Sequence, residues 1–201
     1  MRNLFLAIGL VILLVIIMLQ GRTQTGPPVP PAAQQPEPQA IPEPVTRPAD
    51  QLLVAAVNAD GASAWSAYRE LKQIAHCPYL DDSPETPVGL LVAAYGQQSN
   101  DSERVRETIR LMLNQGCDID QYSAAGLTPL HNAVLFRQPE LLRFLLEQGA
   151  DPLLRVIPIP GRELGRGIAH LDAYGMTLVL RDKNPDDPAI SEILELLKPA
   201  A

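Results

Sequence analysis

The sequence is poor in the residues that most often carry chemistry. Its 201 residues include two cysteines, three histidines and one tryptophan, and aromatic residues make up 4% of the chain. Cys77 and Cys117 form no CxxC arrangement, so the common zinc and thioredoxin-type motifs are absent. No G-x-S-x-G, H-E-x-x-H, P-loop or G-x-G-x-x-G motif occurs either. We therefore expect no enzymatic activity, no metal, no cofactor and no small-molecule substrate.

Basic charge is also scarce. Residues 49–201 contain 13 Lys+Arg and 21 Asp+Glu, which gives this part of the chain a net charge of −8. An acidic domain repels phosphate backbones, so we expect no nucleic-acid partner. The same charge suits a basic protein partner, or it serves only solubility, which is the simpler interpretation.

Only the N-terminus carries a long apolar run, and residues 3–21 contain no charge at all. About 20 uncharged residues are enough to span a bilayer. The following "LQGRTQTG" has no A-x-A cleavage pattern, so we interpret residues 1–22 as an uncleaved signal anchor that forms a transmembrane helix. Cleavage at a weak site, which leaves a soluble periplasmic protein, is the alternative. The usual outcome for such a segment in a bacterium is single-pass insertion in the inner membrane, with the rest of the chain in the periplasm.

A proline-rich segment follows the apolar run. Residues 27–48 hold nine prolines, and proline fixes φ and lacks a backbone donor. At about 3.1 Å per residue, an extended polyproline II segment of this length reaches roughly 70 Å. We interpret residues 23–48 as a spacer, and a docking ligand is the alternative.

The stretch from Gly126 to Asp151 reads as two short helices. Thr128 is a good N-cap residue and Pro129 suits the first helical position. Pro139 begins a second helix in the same way, and Gly149 is placed to end it as a left-handed C-cap. Such a pair cannot bury its own apolar face, so neighbouring pairs are required.

A second copy of this pattern lies 33 residues earlier. "LMLNQGCDID" at residues 111–120 aligns with "FLLEQGADPL" at residues 144–153. A period of 33 with "TPLH" followed by "LLEQGAD" resembles the ankyrin repeat. The resemblance implies stacked helix pairs with a turn projecting from each junction. In this family the "TPLH" histidine, here His131, stabilises the turns, so we assign it a structural role.

The resulting prediction is an all-α fold. It is an ankyrin-repeat solenoid of about four helix-turn-helix units with a long loop insertion, preceded by one N-terminal transmembrane helix. The ankyrin domain spans residues 49–201. Its predicted parts are an N-terminal capping unit 49–80, a repeat 84–120, a central repeat 121–152, a loop insertion 153–167 and a C-terminal capping unit 168–201.

The two cysteines fall in what this scheme treats as equivalent turns of neighbouring units. Adjacent turns are usually too far apart for a bridge, so we favour two free thiols. A disulfide between Cys77 and Cys117 in an oxidising compartment is the alternative.

Ankyrin domains bind proteins through their projecting turns and the concave face of the first helices, so the resemblance implies a protein partner. The positions carried over to the central unit are Ala124, Ala125, Leu127, Leu135 and Phe136. Several of these are apolar where exposure is expected, which favours an interface, although packing against the insertion is the alternative.

The insertion is rich in proline, arginine and branched apolar residues. A long ordered loop in a compact domain usually has a function, and arginine is favoured at interfaces. We therefore predict that the insertion forms a protruding finger that contacts the partner. The candidate residues are Arg155, Ile157, Ile159, Arg162 and Arg166.

These features together predict a non-catalytic protein-binding module held at the inner membrane and facing the periplasm. The build resembles that of immunity proteins, which bind and neutralise a secreted effector that attacks the cell envelope, such as a wall hydrolase. The alternatives are an accessory protein that supports a periplasmic enzyme, for example in peroxide defence, and an envelope scaffold.

Overall fold

The computed structural model describes residues 48–80, 83–160 and 167–198, all of which belong to one compact unit, Thr46–Ala201. The predicted transmembrane helix and nearly all of the predicted spacer lie outside the described residues. Within the described ranges, no helix combines the length and apolar character needed to cross a bilayer.

The described residues form eight α-helices and no strand, which confirms the all-helical prediction for this part of the chain. Connections within each pair of consecutive helices are short. The bounds are α1 Ala49–Val57, α2 Gly61–Leu71, α3 Pro87–Ala94, α4 Ser102–Asn114, α5 Pro129–Leu135, α6 Pro139–Glu147, α7 Ala173–Lys183 and α8 Pro188–Leu197.

Consecutive helices pack as four pairs, and the pairs stack in chain order. The first helices of the pairs form one row, because α1 contacts α3, α3 contacts α5 and α5 contacts α7. The second helices pack behind them, with α4 against α1 and α3, and α6 against α5 and α8. Since each layer packs against the next one in chain order, the architecture is that of a short solenoid.

Two of the first helices begin with the same cap. Thr86 precedes α3 and Thr128 precedes α5, and each is followed by a proline at the first helical position. The Thr86 hydroxyl accepts a hydrogen bond from the Gly89 amide at 3.0 Å. The Thr128 hydroxyl accepts one from the His131 amide at 3.4 Å, while His131 Nδ1 accepts from the Thr128 amide at 3.2 Å. This reciprocal capping fixes where α5 begins.

The helices α4 and α6 also end alike. Each is followed by a glycine with positive φ, Gly116 at 87° and Gly149 at 95°. In both cases the amide after the glycine donates to a carbonyl in the last helical turn, Cys117 to Met112 and Ala150 to Leu145, each at 3.0 Å. This is the Schellman C-cap, which satisfies carbonyl groups that the helix leaves unpaired.

One apolar core runs through the whole stack. Every pair contributes at least one side chain that is no more than 1% exposed, and truncating such a side chain to alanine typically costs about 2–5 kcal/mol. Examples in chain order are Leu53, Leu71, Leu91, Ile109, Leu130, Leu145, Met176 and Ile193.

Glutamine side chains tie neighbouring pairs together at their ends. Gln115 Nε2, after α4, donates to the carbonyls of Leu71 at 2.7 Å and Ile74 at 2.8 Å. Gln138 Nε2, before α6, donates to the carbonyl of Tyr95 at 2.7 Å. These bonds satisfy backbone groups at helix ends that have no partner within their own helix.

Cys77 and Cys117 form a disulfide, so the favoured expectation of two free thiols was wrong. Their Cα atoms are 4.7 Å apart, within the usual range for a bridge. The expectation failed because the two positions are not equivalent. Cys117 follows α4 by three residues, whereas Cys77 follows α2 by six, and their separation is 40 residues rather than the repeat period of 33. The additional residues after α2 bring Cys77 beside the next unit.

The base of the predicted finger is anchored to the stack. Val156 is 1% exposed. Its amide donates to the Leu171 carbonyl at 2.9 Å, and its carbonyl accepts from the His170 amide at 3.0 Å. Residues 158–160 follow as an irregular segment, and residues 161–166 are outside the described residues. Any protruding part of the insertion must therefore begin after Ile157.

Candidate functional site

Three chain segments lie side by side along the start of the first helices, and we call them together the turn surface. They are residues 77–80 with 83–87, residues 116–127 and residues 151–157. The Ala124 amide donates to the Pro84 carbonyl at 2.8 Å, and the Ile157 amide donates to the Gly126 carbonyl at 3.0 Å. Each segment is thus hydrogen-bonded through its backbone to the next, which gives a pre-ordered surface.

Gly126 is the tightest point of the turn surface. Its φ is 73°, in the left-handed region that favours glycine. A Cβ atom placed there would lie 2.0 Å from the carbonyl oxygen of Ile157. The approach of the third segment to the second therefore depends on the absence of a side chain at this position.

Side chains add further links between the second and third segments. The Tyr122 hydroxyl donates to the Arg155 carbonyl at 3.0 Å, and the Asp151 amide donates to Asp120 Oδ1 at 3.1 Å. Burial raises the pKa of the Asp120 carboxyl, and the charges of Asp118 and Asp151 raise it further. The hydrogen bond from the Asp151 amide acts in the other direction and lowers this pKa. The turn surface therefore concentrates negative charge around Tyr122.

The turn surface exposes large apolar and aromatic side chains. Tyr79 is 82% exposed, Leu153 73% and Ile157 48%. Scattered apolar side chains are ordinary on protein surfaces, but several on one pre-ordered surface indicate a binding site. Sequence reasoning did not single out Tyr79 or Leu153. Their only sequence signal is that each directly follows a proline, Pro78 or Pro152.

The structure brings only part of the predicted central-unit site together. Ala124 is exposed and Ala125 half-buried, and both lie on the turn surface. Leu127 is only 5% exposed and joins the core, because its carbonyl closes the turn by accepting from the Ser123 amide and its side chain points inward. Leu135 packs partly against the core, and Phe136 is 49% exposed.

Leu135 and Phe136 lie at the far end of α5 from the turn surface. The helix spans Pro129–Leu135, so about 10 Å of helix separates Phe136 from Thr128. The predicted set thus divides into residues near the turns and residues at the opposite end of the first-helix row.

The candidate residues of the insertion are also divided. Arg155 is exposed and Ile159 is half-buried, while Ile157 lies on the turn surface. Arg162 and Arg166 lie outside the described residues. The structure therefore places Arg155 and Ile157 next to the central unit and leaves the role of the two distal arginines a prediction.

His131 is a buried part of the capping structure. It is 1% exposed, and burial lowers the pKa of its ring, although the nearby backbone of Leu154 and Leu171 and the charge of Asp172 favour protonation. Its Nε2 atom has no hydrogen bond of acceptable geometry. A neutral ring suits the capping bond, because His131 Nδ1 accepts a hydrogen bond from the Thr128 amide there. No cluster of three or more potential metal ligands occurs within the described ranges.

The surface formed by the second helices has a different character. There Trp65 and Tyr68 of α2 meet edge to face at 5.9 Å, and the Arg104 guanidinium lies 5.3 Å from the Trp65 ring centre. Arg106 and Arg110 of α4 pair with Glu103, and Arg143 of α6 pairs with Glu192 at 2.7 Å. Cations and anions are therefore mixed on this face, whereas the turn surface is mainly acidic.

Residues 71–155 match the sequence family described as "Ankyrin repeats (3 copies)". This part of the chain contains ankyrin repeats. The matched range includes α3 to α6, whose threonine caps and glycine ends repeat in the structure, and the resemblance inferred from the sequence is confirmed. The ankyrin repeats imply a protein–protein interaction module.

A curated human protein, protein phosphatase 1 regulatory subunit 27, is 42% identical over 45 residues. The similar stretch covers 22% of this chain and 29% of the human protein. The chain thus spans less than a third of that relative's length, and the similarity concerns the ankyrin segment alone.

Proposed function

We propose that this chain is a non-catalytic ankyrin protein held at the inner membrane with its repeats in the periplasm. There it binds and neutralises a secreted protein that attacks the cell envelope. The turn surface is the binding site, and the distal part of the insertion adds contacts. The apolar residues 3–21 serve as the membrane anchor.

The observation that carries this proposal is the Cys77–Cys117 disulfide. Disulfides persist in oxidising compartments such as the periplasm and are rare in the cytosol. An apolar N-terminal segment and a disulfide in the domain that follows it both favour export. The compartment in turn restricts the partners to exported proteins.

Binding without catalysis is supported by the character of the turn surface. It exposes Tyr79, Leu153 and Ile157 on a backbone that hydrogen bonds hold in place, and pre-ordering lowers the entropic cost of association. The human relative is by its name a regulatory subunit of an enzyme, which supports a regulatory role for a segment of this kind.

The compartment is tested by protease accessibility in cells that express the full chain with a C-terminal tag. We expect protease to remove the tag from spheroplasts but not from intact cells. Protection of the tag in spheroplasts, with digestion only after lysis, would place the repeats in the cytosol and overturn the proposal.

The partner is tested by in-cell crosslinking, capture of the tagged full chain and mass spectrometry. We expect an exported hydrolase or membrane-damaging protein, whose toxicity in the periplasm is relieved by co-expression of this chain. A captured periplasmic enzyme whose activity rises on binding would instead favour the accessory role. Capture of cytosolic proteins alone would contradict both.

The contribution of the insertion is tested separately. Replacing residues 158–166 by a short Gly-Ser turn leaves Val156 and Ile157 in place and therefore preserves the anchored base. If the finger contacts the partner, the shortened chain stays folded but captures less of it. Unchanged capture would remove the finger from the proposal.

A further inference from the structure

A groove of about 620 Å³ opens on the turn surface between its first two segments. Pro78, Leu80 and Thr86 are buried along one side, and Ser123 and Ala124 form part of the other. The Ala124–Pro84 hydrogen bond and the Cys77–Cys117 disulfide both join the two sides. The width of the groove is therefore fixed before any ligand arrives.

Two tyrosines give the groove its aromatic character. Tyr79, which is 82% exposed, belongs to the first segment, and Tyr122 belongs to the second. Tyr122 is held by the bond from its hydroxyl to the Arg155 carbonyl, which orients the ring. Aromatic faces of this kind attract guanidinium and ammonium groups.

The charged side chains that line the groove are all acidic. Glu85 and Asp118 are part of the lining, and no lysine, arginine or histidine is among the described lining residues. Acidic groups in a concave surface attract cations more strongly than the same groups on a flat surface.

Glu85 is the best-placed anion for a bound cation. Its Oε2 accepts a hydrogen bond from Asn132 Nδ2 at 3.4 Å, and it has no cationic partner among the described residues. The side chain is half-buried, and burial raises the pKa of its carboxyl. Within the described residues, the Glu85 carboxylate has only the long hydrogen bond from the neutral Asn132 amide, so a cationic group of a ligand would pair with its charge.

We propose that this groove binds an extended segment of a partner protein that carries arginine or lysine. The cationic side chain lies against Tyr79 and pairs with Glu85, and Asp118 attracts a second cation of the same segment. An acidic segment is excluded by like charge, and a purely apolar segment leaves Glu85 unpaired. This inference rests on the proposed protein-binding function and adds the chemistry of the partner.

The test uses the full chain and fluorescein-labelled nonapeptides with the sequences (Arg-Gly-Ser)₃, (Gln-Gly-Ser)₃ and (Glu-Gly-Ser)₃, with binding measured by anisotropy. We expect the arginine peptide to bind most tightly and its affinity to fall as salt is added. Glu85→Gln and Tyr79→Ser should each weaken its binding by about fivefold or more.

Matched controls come from the surface formed by the second helices. Glu107→Gln removes the same charge, and Tyr68→Ser removes the same ring, from a second groove lined by α2 and α4 residues. Both variants should bind the arginine peptide as the unaltered chain does. Circular dichroism of all four variants shows whether each keeps its helix content, and Glu85→Asp, which retains the charge, should keep part of the affinity.

The inference is wrong if the arginine peptide binds no tighter than the glutamine peptide, or if Glu107→Gln weakens it as much as Glu85→Gln. Its failure differs from that of the proposed function. If the full chain still captures its exported partner when Tyr79 and Glu85 are replaced, the groove is not the binding site but the function stands. If the arginine peptide binds this groove while no exported protein is captured, the groove stands and the function fails.

Discussion

Gly126→Ala is the sharpest test of how the turn surface is held together. Alanine at a φ of 73° costs about 1–2 kcal/mol, because its Cβ crowds the backbone. At Gly126 the Cβ would also lie 2.0 Å from the Ile157 carbonyl oxygen, so the third segment must move away. That movement breaks the 3.0 Å bond from the Ile157 amide to the Gly126 carbonyl, worth about 0.5–1.5 kcal/mol. We expect a total loss of about 1.5–3.5 kcal/mol in the free energy of unfolding.

Gly149→Ala is the matched control. Its φ is 95°, so it bears a comparable backbone cost, but no atom lies within 4 Å of the added Cβ. We expect a loss of about 1–2 kcal/mol. Urea titration followed by far-ultraviolet circular dichroism compares the two losses. Hydrogen exchange at the Ile157 amide should accelerate strongly in Gly126→Ala and little in Gly149→Ala. Equal losses for the two variants, with unchanged exchange at Ile157, would refute the steric argument.

Three further predictions concern the disulfide, the capping histidine and the binding surface. Replacing Cys77 and Cys117 together by alanine should lower the free energy of unfolding by about 4 kcal/mol, because the bridge closes a long loop of 40 residues, and urea titration that shows no loss would contradict this. Since burial lowers the pKa of His131, the fold binds fewer protons there than the unfolded chain. Stability should therefore fall as the pH drops below about 6.5, by at most about 1.4 kcal/mol per pH unit, and a His131→Gln variant measured by urea titration at each pH should show a weaker dependence. Ile157→Ser should reduce partner capture several-fold, whereas Trp65→Ser, at 52% exposure on the surface of the second helices, should not. Equal effects of the two substitutions would argue against the turn surface as the binding site.

The helices of the central unit follow closely from the sequence because their signals are local. Thr128-Pro129 predicts where the first helix begins, and α5 begins at Pro129. Gly149 predicts the end of the second helix, and α6 ends at Glu147 with Gly149 in the left-handed conformation. Caps and left-handed glycines depend on a few adjacent residues, so a sequence alone carries them.

The parts that the sequence did not predict depend on the path of irregular segments. The disulfide exists because residues 72–76 carry Cys77 toward the next unit, and no periodic pattern describes that path. The insertion is anchored through backbone bonds at Val156, which have no side-chain signature. Leu127 occupies a position that the family pattern places on the surface, but closure of the turn directs its side chain into the core.

The candidate site was predicted in the same uneven way. The location of Ala124 and Ala125 on the turns followed from the ankyrin resemblance. Ile157, which was predicted from the composition of the insertion, lies on the same surface. Tyr79, Glu85 and Tyr122 were not singled out, because a groove formed between two irregular segments depends on their relative position. Their residue types alone do not distinguish them from the other tyrosines and glutamates of the chain.

The disulfide makes the two ends of the stack unequal. A row of units that contact only their neighbours can lose structure from either end, one layer at a time. At the N-terminal end, the disulfide links the first layer covalently to the second, so the first layer cannot separate from the stack while the bond is intact. Fraying should therefore begin with α7 and α8, which no covalent link joins to the rest beyond the chain itself. A protease should therefore cleave the repeat domain first at its C-terminal helices and last at the layers that form the groove.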